Sequence, residues 1–85
     1  VDNTMASPIN FQPRLLGFDY VLHSASKYLN GHSDVVAGVI ASSREAIERL
    51  RVFVNRAGVC LDPHACHLLQ RGLKTLPLRM EAHNR

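Results

Sequence analysis

Residues 35–41, Val-Val-Ala-Gly-Val-Ile-Ala, are a nearly continuous apolar run, and no other segment limits the fold as strongly. Such a run suits a strand buried on both faces, as in a sheet held between helices. Gly38 inside it lets another backbone or a ligand come close. The stretch before it, Tyr28 to Asp34, contains Asn30-Gly31-His32-Ser33-Asp34, a turn composition. Further back, Phe18 to His23 is aromatic and β-branched enough for a strand of ordinary length. Val1 to Thr4 reads as the tail of a strand. Met5 to Pro13, with Pro8, Asn10 and Pro13, reads as irregular. Pro13-Arg14-Leu15-Leu16 suits one helical turn closed by Gly17.

Helices follow the apolar run. Ser42 is placed to cap the first, with Glu45 three residues later as its reciprocal partner. Ile47, Leu50, Val54 and Ala57 form its apolar stripe, and Arg44, Glu48, Arg51 and Asn55 fall on the polar side. Gly58 stands where a left-handed residue ends such a helix. Asp62 and Pro63 open the next helix as cap and first helical residue. Its apolar face is Ala65, Leu68 and Leu69, and Gly72 ends or bends it. A third helical segment, roughly Thr75 to Arg85, follows Leu73 and carries Leu76 and Met80. Three strands followed by three helices give an α/β fold class. The order fits the later part of a sheet domain with helices leading out of it.

The formal net charge of +3 is mild and the basic residues are spread out, which argues against a nucleic-acid surface. No apolar run is long enough for a membrane span. The N-terminus lacks the basic and apolar regions of a signal peptide. Cys60 and Cys66 do not make a disulfide framework, so the chain reads as cytoplasmic. A first residue other than Met and an end within a helical pattern suggest a piece of a longer polypeptide.

The chemistry centres on Lys27, at a strand-to-loop junction behind Ser24 and Ser26. An isolated lysine is ordinarily just solvated. Here the amine suits Schiff-base formation with an aldehyde cofactor, and the hydroxyls suit that cofactor's phosphate. Asp2, at the end of the first strand, is 27 − 2 = 25 positions from Lys27. On neighbouring strands the two would face one crevice, since ligands gather at strand carboxyl ends in open α/β sheets. A carboxylate there would keep a pyridine-type nitrogen protonated.

Other polar residues read more plainly. His32 and Asp34 are expected to shape their loop through hydrogen bonds. Cys60, His64, Cys66 and His67 have spacings suggestive of zinc. Adjacent helical residues point about 100° apart, however, and Asp62-Pro63 reads as a helix start, so no metal site is expected. Cys66 is expected to pack against the core. Arg71, Lys74, Arg79 and Arg85 are expected on a solvated helix face or a subunit contact.

Several elements together carry a resemblance. They are Val1-Asp2-Asn3-Thr4, Ser7-Pro8, the block from His23-Ser24-Ala25-Ser26-Lys27-Tyr28 through Gly38, Arg71-Gly72-Leu73-Lys74-Thr75-Leu76, and Leu78-Arg79-Met80. In this order they resemble the cysteine/methionine-metabolism family of pyridoxal-phosphate enzymes. Its members include cystathionine γ-lyase, γ-synthase and β-lyase, and methionine γ-lyase. The resemblance covers essentially the whole chain. Tyr28 to Val36 and Arg71 to Met80 lean towards cystathionine γ-lyase.

The resemblance implies a type I aminotransferase-like fold, with a large, mostly parallel sheet between helices. Residues 1–73 would be the later part of the cofactor-binding domain, and 74–85 the start of the helix leading into the C-terminal domain. It implies pyridoxal 5'-phosphate as cofactor, with Lys27 as the Schiff-base lysine. Asp2 would partner the ring nitrogen, and Ser24 would bind phosphate. Ser26 stands where the family more often has threonine, and either hydroxyl can donate. Met5 replaces an aromatic residue common after Asp-Asn-Thr, which bears on local packing. The implied substrate is a sulfur-containing amino acid, cleaved by β- or γ-elimination, and the implied assembly a homotetramer. Residues completing the site would lie before Val1 and after Arg85, so these 85 residues alone are expected neither to bind the cofactor tightly nor to catalyse. The competing readings are a non-enzymatic interaction module using the amphipathic helices and a metal module built on Cys60 to His67.

Overall fold

A computed structural model describes residues 1–85. Its centre is a short mixed sheet. Strand β1 (Val21–Ser24) pairs antiparallel with β2 (Gly38–Ala41), with Val21 opposite Ala41 and Ser24 opposite Gly38. On the other edge Asp2 forms a parallel bridge with Leu22. The Leu22 N–H donates to Val1 O and the Asn3 N–H to Leu22 O, each at 2.8 Å. Of the mostly parallel sheet implied by resemblance, this chain therefore contributes one parallel bridge and one antiparallel pair.

Both named strands are shorter than the sequence suggests, for identifiable reasons. Arg14 Nη1 donates to Phe18 O and Asp19 O, at 3.3 and 2.7 Å, taking carbonyls a longer β1 would place in its ladder. At the other strand, Ala37 bonds with the turn after β1. Its carbonyl accepts from the Ala25 N–H at 2.8 Å, and its N–H donates to Ser26 Oγ at 3.0 Å. Burial on both faces is not what this chain provides: Val35 is buried, but Val36 is 90% exposed and Ile40 is 45% exposed. The Ile40 face stays partly open.

The segment expected to be irregular contains a single helical turn, α1 (Ser7–Asn10). Asn3 Nδ2 holds it by donating to Ser7 O and Phe11 O. Pro13–Leu16 is a 3-10 turn closed by Gly17 at φ 90°, as its composition predicts.

Helix α2 (Arg44–Ala57) begins one residue later than expected. Ser43 accepts from the Ala46 N–H, whereas the Ser42 hydroxyl is committed to Asp19 O at 2.6 Å. Gly58 ends α2 in the left-handed region at φ 73°. Ile47 and Leu50 are half-buried, but Val54 and Ala57 remain exposed, so half the stripe is uncovered. Helix α3 (Pro63–Leu73) is capped by Asp62, which accepts from the Ala65 N–H. Ala65, Leu68 and Leu69 turn inward and Cys66 outward, so the expectation of a core cysteine is corrected. Helix α4 (Leu76–His83) completes the chain.

The core lies beneath the turn after β1. Ala25 and Leu29 meet Leu76 and Met80, one helical turn apart on α4. Leu69, Val39, Ala37 and Tyr28 pack around them. Full burial of a side chain such as Leu76 or Met80 stabilises by about 1.5–3 kcal/mol. The principal extents are 43 × 33 × 16 Å, a slab thin enough to leave much apolar surface open. No helix is long and apolar enough to cross a membrane.

Candidate functional site

The bridge between Asp2 and Leu22 sets the first half of the site. Residues paired across a sheet share a face, and alternate residues return to it. Asp2, Thr4 and Ser24 thereby line one open depression of about 560 Å³. Asp2 Oδ1 accepts from the Thr4 N–H at 2.9 Å and from the Thr4 hydroxyl. The Ser24 N–H donates to Thr4 Oγ1 at 2.8 Å. The hydroxyl bond from Thr4, then the backbone bond, hold the Asp2 carboxyl below its ordinary range.

Ser26 and Lys27 line an adjoining depression of about 410 Å³, together with Tyr28 and Arg79, and Met5 borders both. The Lys27 side chain is exposed. Ser26 Oγ accepts from the Ala37 N–H at 3.0 Å, and its own hydrogen has only a 3.4 Å contact to Ala37 O. Of the two contacts, the one in which Ser26 accepts is the shorter.

The turn carrying Lys27 is tied at both ends. Before the lysine, Ala25 and Ser26 bond to Ala37. After it, the Gly31 N–H donates to Lys27 O at 2.8 Å and the Asn30 N–H to Ala25 O at 3.0 Å. Arg79, on α4, reaches the next two carbonyls: Nη1 donates to Tyr28 O at 2.7 Å and Nη2 to Leu29 O at 3.3 Å. The same guanidinium donates from Nη2 to Gly72 O at 2.6 Å and from Nε to Thr75 Oγ1 at 2.9 Å.

This corrects the expectation that Arg79 belongs to a solvated basic face. Arg71, Lys74 and Arg85 are exposed, and Arg71 pairs with Asp34 at 3.5 Å. His32 and Asp34 shape their loop as predicted: His32 Nδ1 donates to Asn30 O at 2.7 Å, and Asn30 Nδ2 donates to Asp34 Oδ1 at 2.6 Å. The Asn30 bond leads the causes that lower the Asp34 carboxyl.

Three participants escape a reading of the sequence. Thr4 is one, and its place two residues after Asp2 on a strand is the available signal. Arg79 is another, and nothing local distinguishes it from its basic neighbours. His23 is the third: 8% exposed, with Nδ1 unpartnered, and lowered in pKa by burial against the raising effect of Asp2. No three His, Cys, Asp or Glu side chains gather as metal ligands would.

One ionised carboxylate, two hydroxyls and an exposed amine fit a phosphorylated pyridine aldehyde. An ionised Asp2 would suit a protonated ring nitrogen, and the Ser26 hydroxyl would suit a phosphate.

The family model described as Cys/Met metabolism PLP-dependent enzyme matches residues 1–85. A cystathionine β-lyase of Lactococcus lactis is 54% identical over 85 residues, covering 99% of this chain and 22% of that protein. A cystathionine γ-lyase of Bacillus subtilis is 55% identical over 83 residues, covering 96% and 22%. Among solved structures, cystathionine γ-lyase from Lactobacillus plantarum, complexed with L-serine, superposes with a TM-score of 0.91 at 52% identity. That match covers 96% of this chain and 22% of the other. The chain thus spans about a fifth of the length of these relatives.

Proposed function

Because the chain belongs to the Cys/Met metabolism PLP-dependent enzyme family, we propose that it forms the lysine-bearing part of the active site of a sulfur amino-acid lyase. The reaction is a cystathionine γ-lyase-like elimination at the β or γ carbon. Cystathionine γ-synthase, cystathionine β-lyase and methionine γ-lyase chemistry are the alternatives within the family, because this part of the site serves the cofactor more than the choice of substrate. Residues 1–73 belong to the cofactor-binding domain of a type I aminotransferase-like fold, and 74–85 begin the helix into the C-terminal domain. The enzyme is a cytoplasmic homotetramer.

The observation that carries the reading is the Thr4 hydroxyl, which binds Asp2 and Ser24 at once on the face leading to Lys27. Bound pyridoxal phosphate supplies an aldehyde that captures amines and a cationic ring that draws electron density from the substrate. Asp2, whose own carboxyl is held below its ordinary range, would pair with that cation. Ser24 and Ser26 would offer hydroxyl hydrogens to the phosphate. Lys27 Nζ would be the amine that holds the cofactor's aldehyde and, as a free base, would take up and return protons at the substrate's carbons.

The test uses the natural polypeptide carrying this chain, loaded with pyridoxal phosphate and reduced with borohydride. Peptide mapping should find the label on Lys27, and Lys27→Ala should lose it. With water, L-cystathionine should yield a thiol amino acid as the leaving group, together with ammonia and a 2-oxo acid. A label on another lysine, or none, would sink the assignment.

A further inference from the structure

We propose that Arg79 is a positioning residue for the Lys27 amine. The inference rests on the cofactor role proposed for Lys27. Three successive carbonyls follow the lysine side chain's attachment point, and each is taken. Lys27 O accepts from the Gly31 N–H, and Tyr28 O and Leu29 O accept from the two ends of the Arg79 guanidinium. A planar fork is suited to such a pair, because two donors fixed in one plane set both the position and the orientation of the peptide groups they meet.

The fork is itself held from behind. Gly72 O and Thr75 Oγ1 accept from it, so the guanidinium bridges the end of α3, the start of α4 and the lysine turn. The turn is shaped to receive it. Gly31 has φ +77°, and a Cβ there would lie 2.1 Å from Arg79 Nη1. Arg79 also lines the depression that Lys27 lines. With Ser26 fastened to Ala37 on the other side, the lysine sits on a short span fixed at both ends. A residue 79 − 27 = 52 positions downstream therefore sets the direction from which the amine reaches the cofactor. Small errors in such a direction are costly, because an ångström of misplacement lowers rates by about a hundredfold.

Arg79→Ala and Arg79→Lys in the natural polypeptide test this. In the apoprotein, hydrogen exchange at the Gly31 amide should accelerate by about tenfold or more, the effect of losing a charge-assisted bond. In the loaded protein, the circular dichroism of the visible cofactor band should change, while the far-UV spectrum and cofactor occupancy stay as in the parent. kcat should fall by roughly 10- to 100-fold with little change in KM. Arg79→Lys should fail to rescue, since an ammonium lacks the fork. If both variants misfold, Thr75→Val removes the Nε anchor and the Thr75 hydroxyl's 3.3 Å bond to Gly72 O but leaves the Nη1 and Nη2 donors in place, and should shift the visible band in the same direction by less.

A folded Arg79 variant, or Thr75→Val where neither folds, with unchanged visible dichroism and kcat overturns the proposal and leaves Arg79 a brace of the fold. A parent protein that traps no cofactor on Lys27 overturns the functional reading, and the positioning role with it. Exchange at Gly31 then still tells whether the clamp exists.

Discussion

The backbone N–H of Ser24 donates to Thr4 Oγ1 at 2.8 Å, and the same hydroxyl spends its hydrogen on Asp2 Oδ1. One side chain therefore joins the carboxylate to the strand that leads into the lysine turn. The Asp2 side is a charge relationship: the Thr4 hydroxyl is the leading cause of the lowered carboxyl. The Ser24 side is a backbone relationship, adding a side-chain rung where the parallel bridge stops.

Thr4→Val should break both at once. The Asp2 carboxyl should rise towards its ordinary value of about 3.9. A carboxyl lowered by folding contributes stability that is present above its unfolded value and lost as pH falls through its folded value. The variant should therefore lack most of the Asp2 contribution, and its stability should depend less on pH across the acid range than the parent's. Carbon NMR of the Asp2 carboxyl against pH reads the shift. Leaving the half-buried Ser24 N–H without its acceptor should also cost about 1 kcal/mol. Thr4→Ser keeps both bonds and should behave as the parent.

Ser24 and Ser26 should separate into different roles. Ser26→Ala removes the acceptor of the Ala37 N–H and should cost about 1–2 kcal/mol in urea unfolding. Ser26→Thr keeps the hydroxyl and should stay within about 0.5 kcal/mol of the parent. Ser24 joins the network through its backbone N–H. Ser24→Ala should therefore change stability by less than about 0.5 kcal/mol while raising the dissociation constant for pyridoxal phosphate. Equal stability losses for Ser24→Ala and Ser26→Ala would contradict this division.

Signals that act within a few residues were legible in the sequence. Asp62 and Pro63 start α3, Gly17 and Gly58 close their turns at positive φ, and Leu76 and Met80 reach the core at helical spacing. Local patterns mislead where a distant group competes for a local one. Ser42 and Ser43 are equally good caps until Asp19 O claims the Ser42 hydroxyl. Phe18 to Tyr20 read as strand until Arg14 takes two of its carbonyls. The site divides the same way. Asp2, Ser24, Ser26 and Lys27 stand out by residue type as candidates for one cofactor, whereas Arg79 resembles any exposed helical arginine until the fold brings Tyr28 O and Leu29 O to it. The apolar run from Val35 to Ala41 overstates its own burial, because hydrophobicity reports what a segment needs covered, not what this chain supplies to cover it.

Gly72→Ala pits a local preference against a contact. Alanine in place of a helical glycine gains about 0.5–1 kcal/mol in propensity. At Gly72, however, a Cβ would stand 2.2 Å from Asn30 O, a backbone atom that cannot rotate away. Overpacking of this kind costs about 1–3 kcal/mol and should win. The variant should unfold at lower urea concentration. Because Asn30 closes the lysine turn through its N–H to Ala25 O, amide exchange at Asn30 should also accelerate. A stabilised Gly72→Ala would show that α3 and the turn do not touch as closely as the geometry requires.

His23 gives the chain an acid-sensitive point. The ring is buried, its Nδ1 has no partner, and desolvation lowers its pKa, with Asp2 opposing in part. The folded protein thus disfavours the proton that the unfolded chain takes up as pH falls through about 6.5. Stability from neutral His23 is complete above that value and declines as pH drops towards the folded pKa. His23→Leu removes both the titration and the orphaned nitrogen. The urea midpoint of the parent should fall between about pH 7.5 and about pH 5.5 by more than that of His23→Leu. The difference isolates this ring from every other titrating group, because those remain in both proteins. Parallel pH curves for the two would mean that His23 keeps its ordinary proton affinity in the fold.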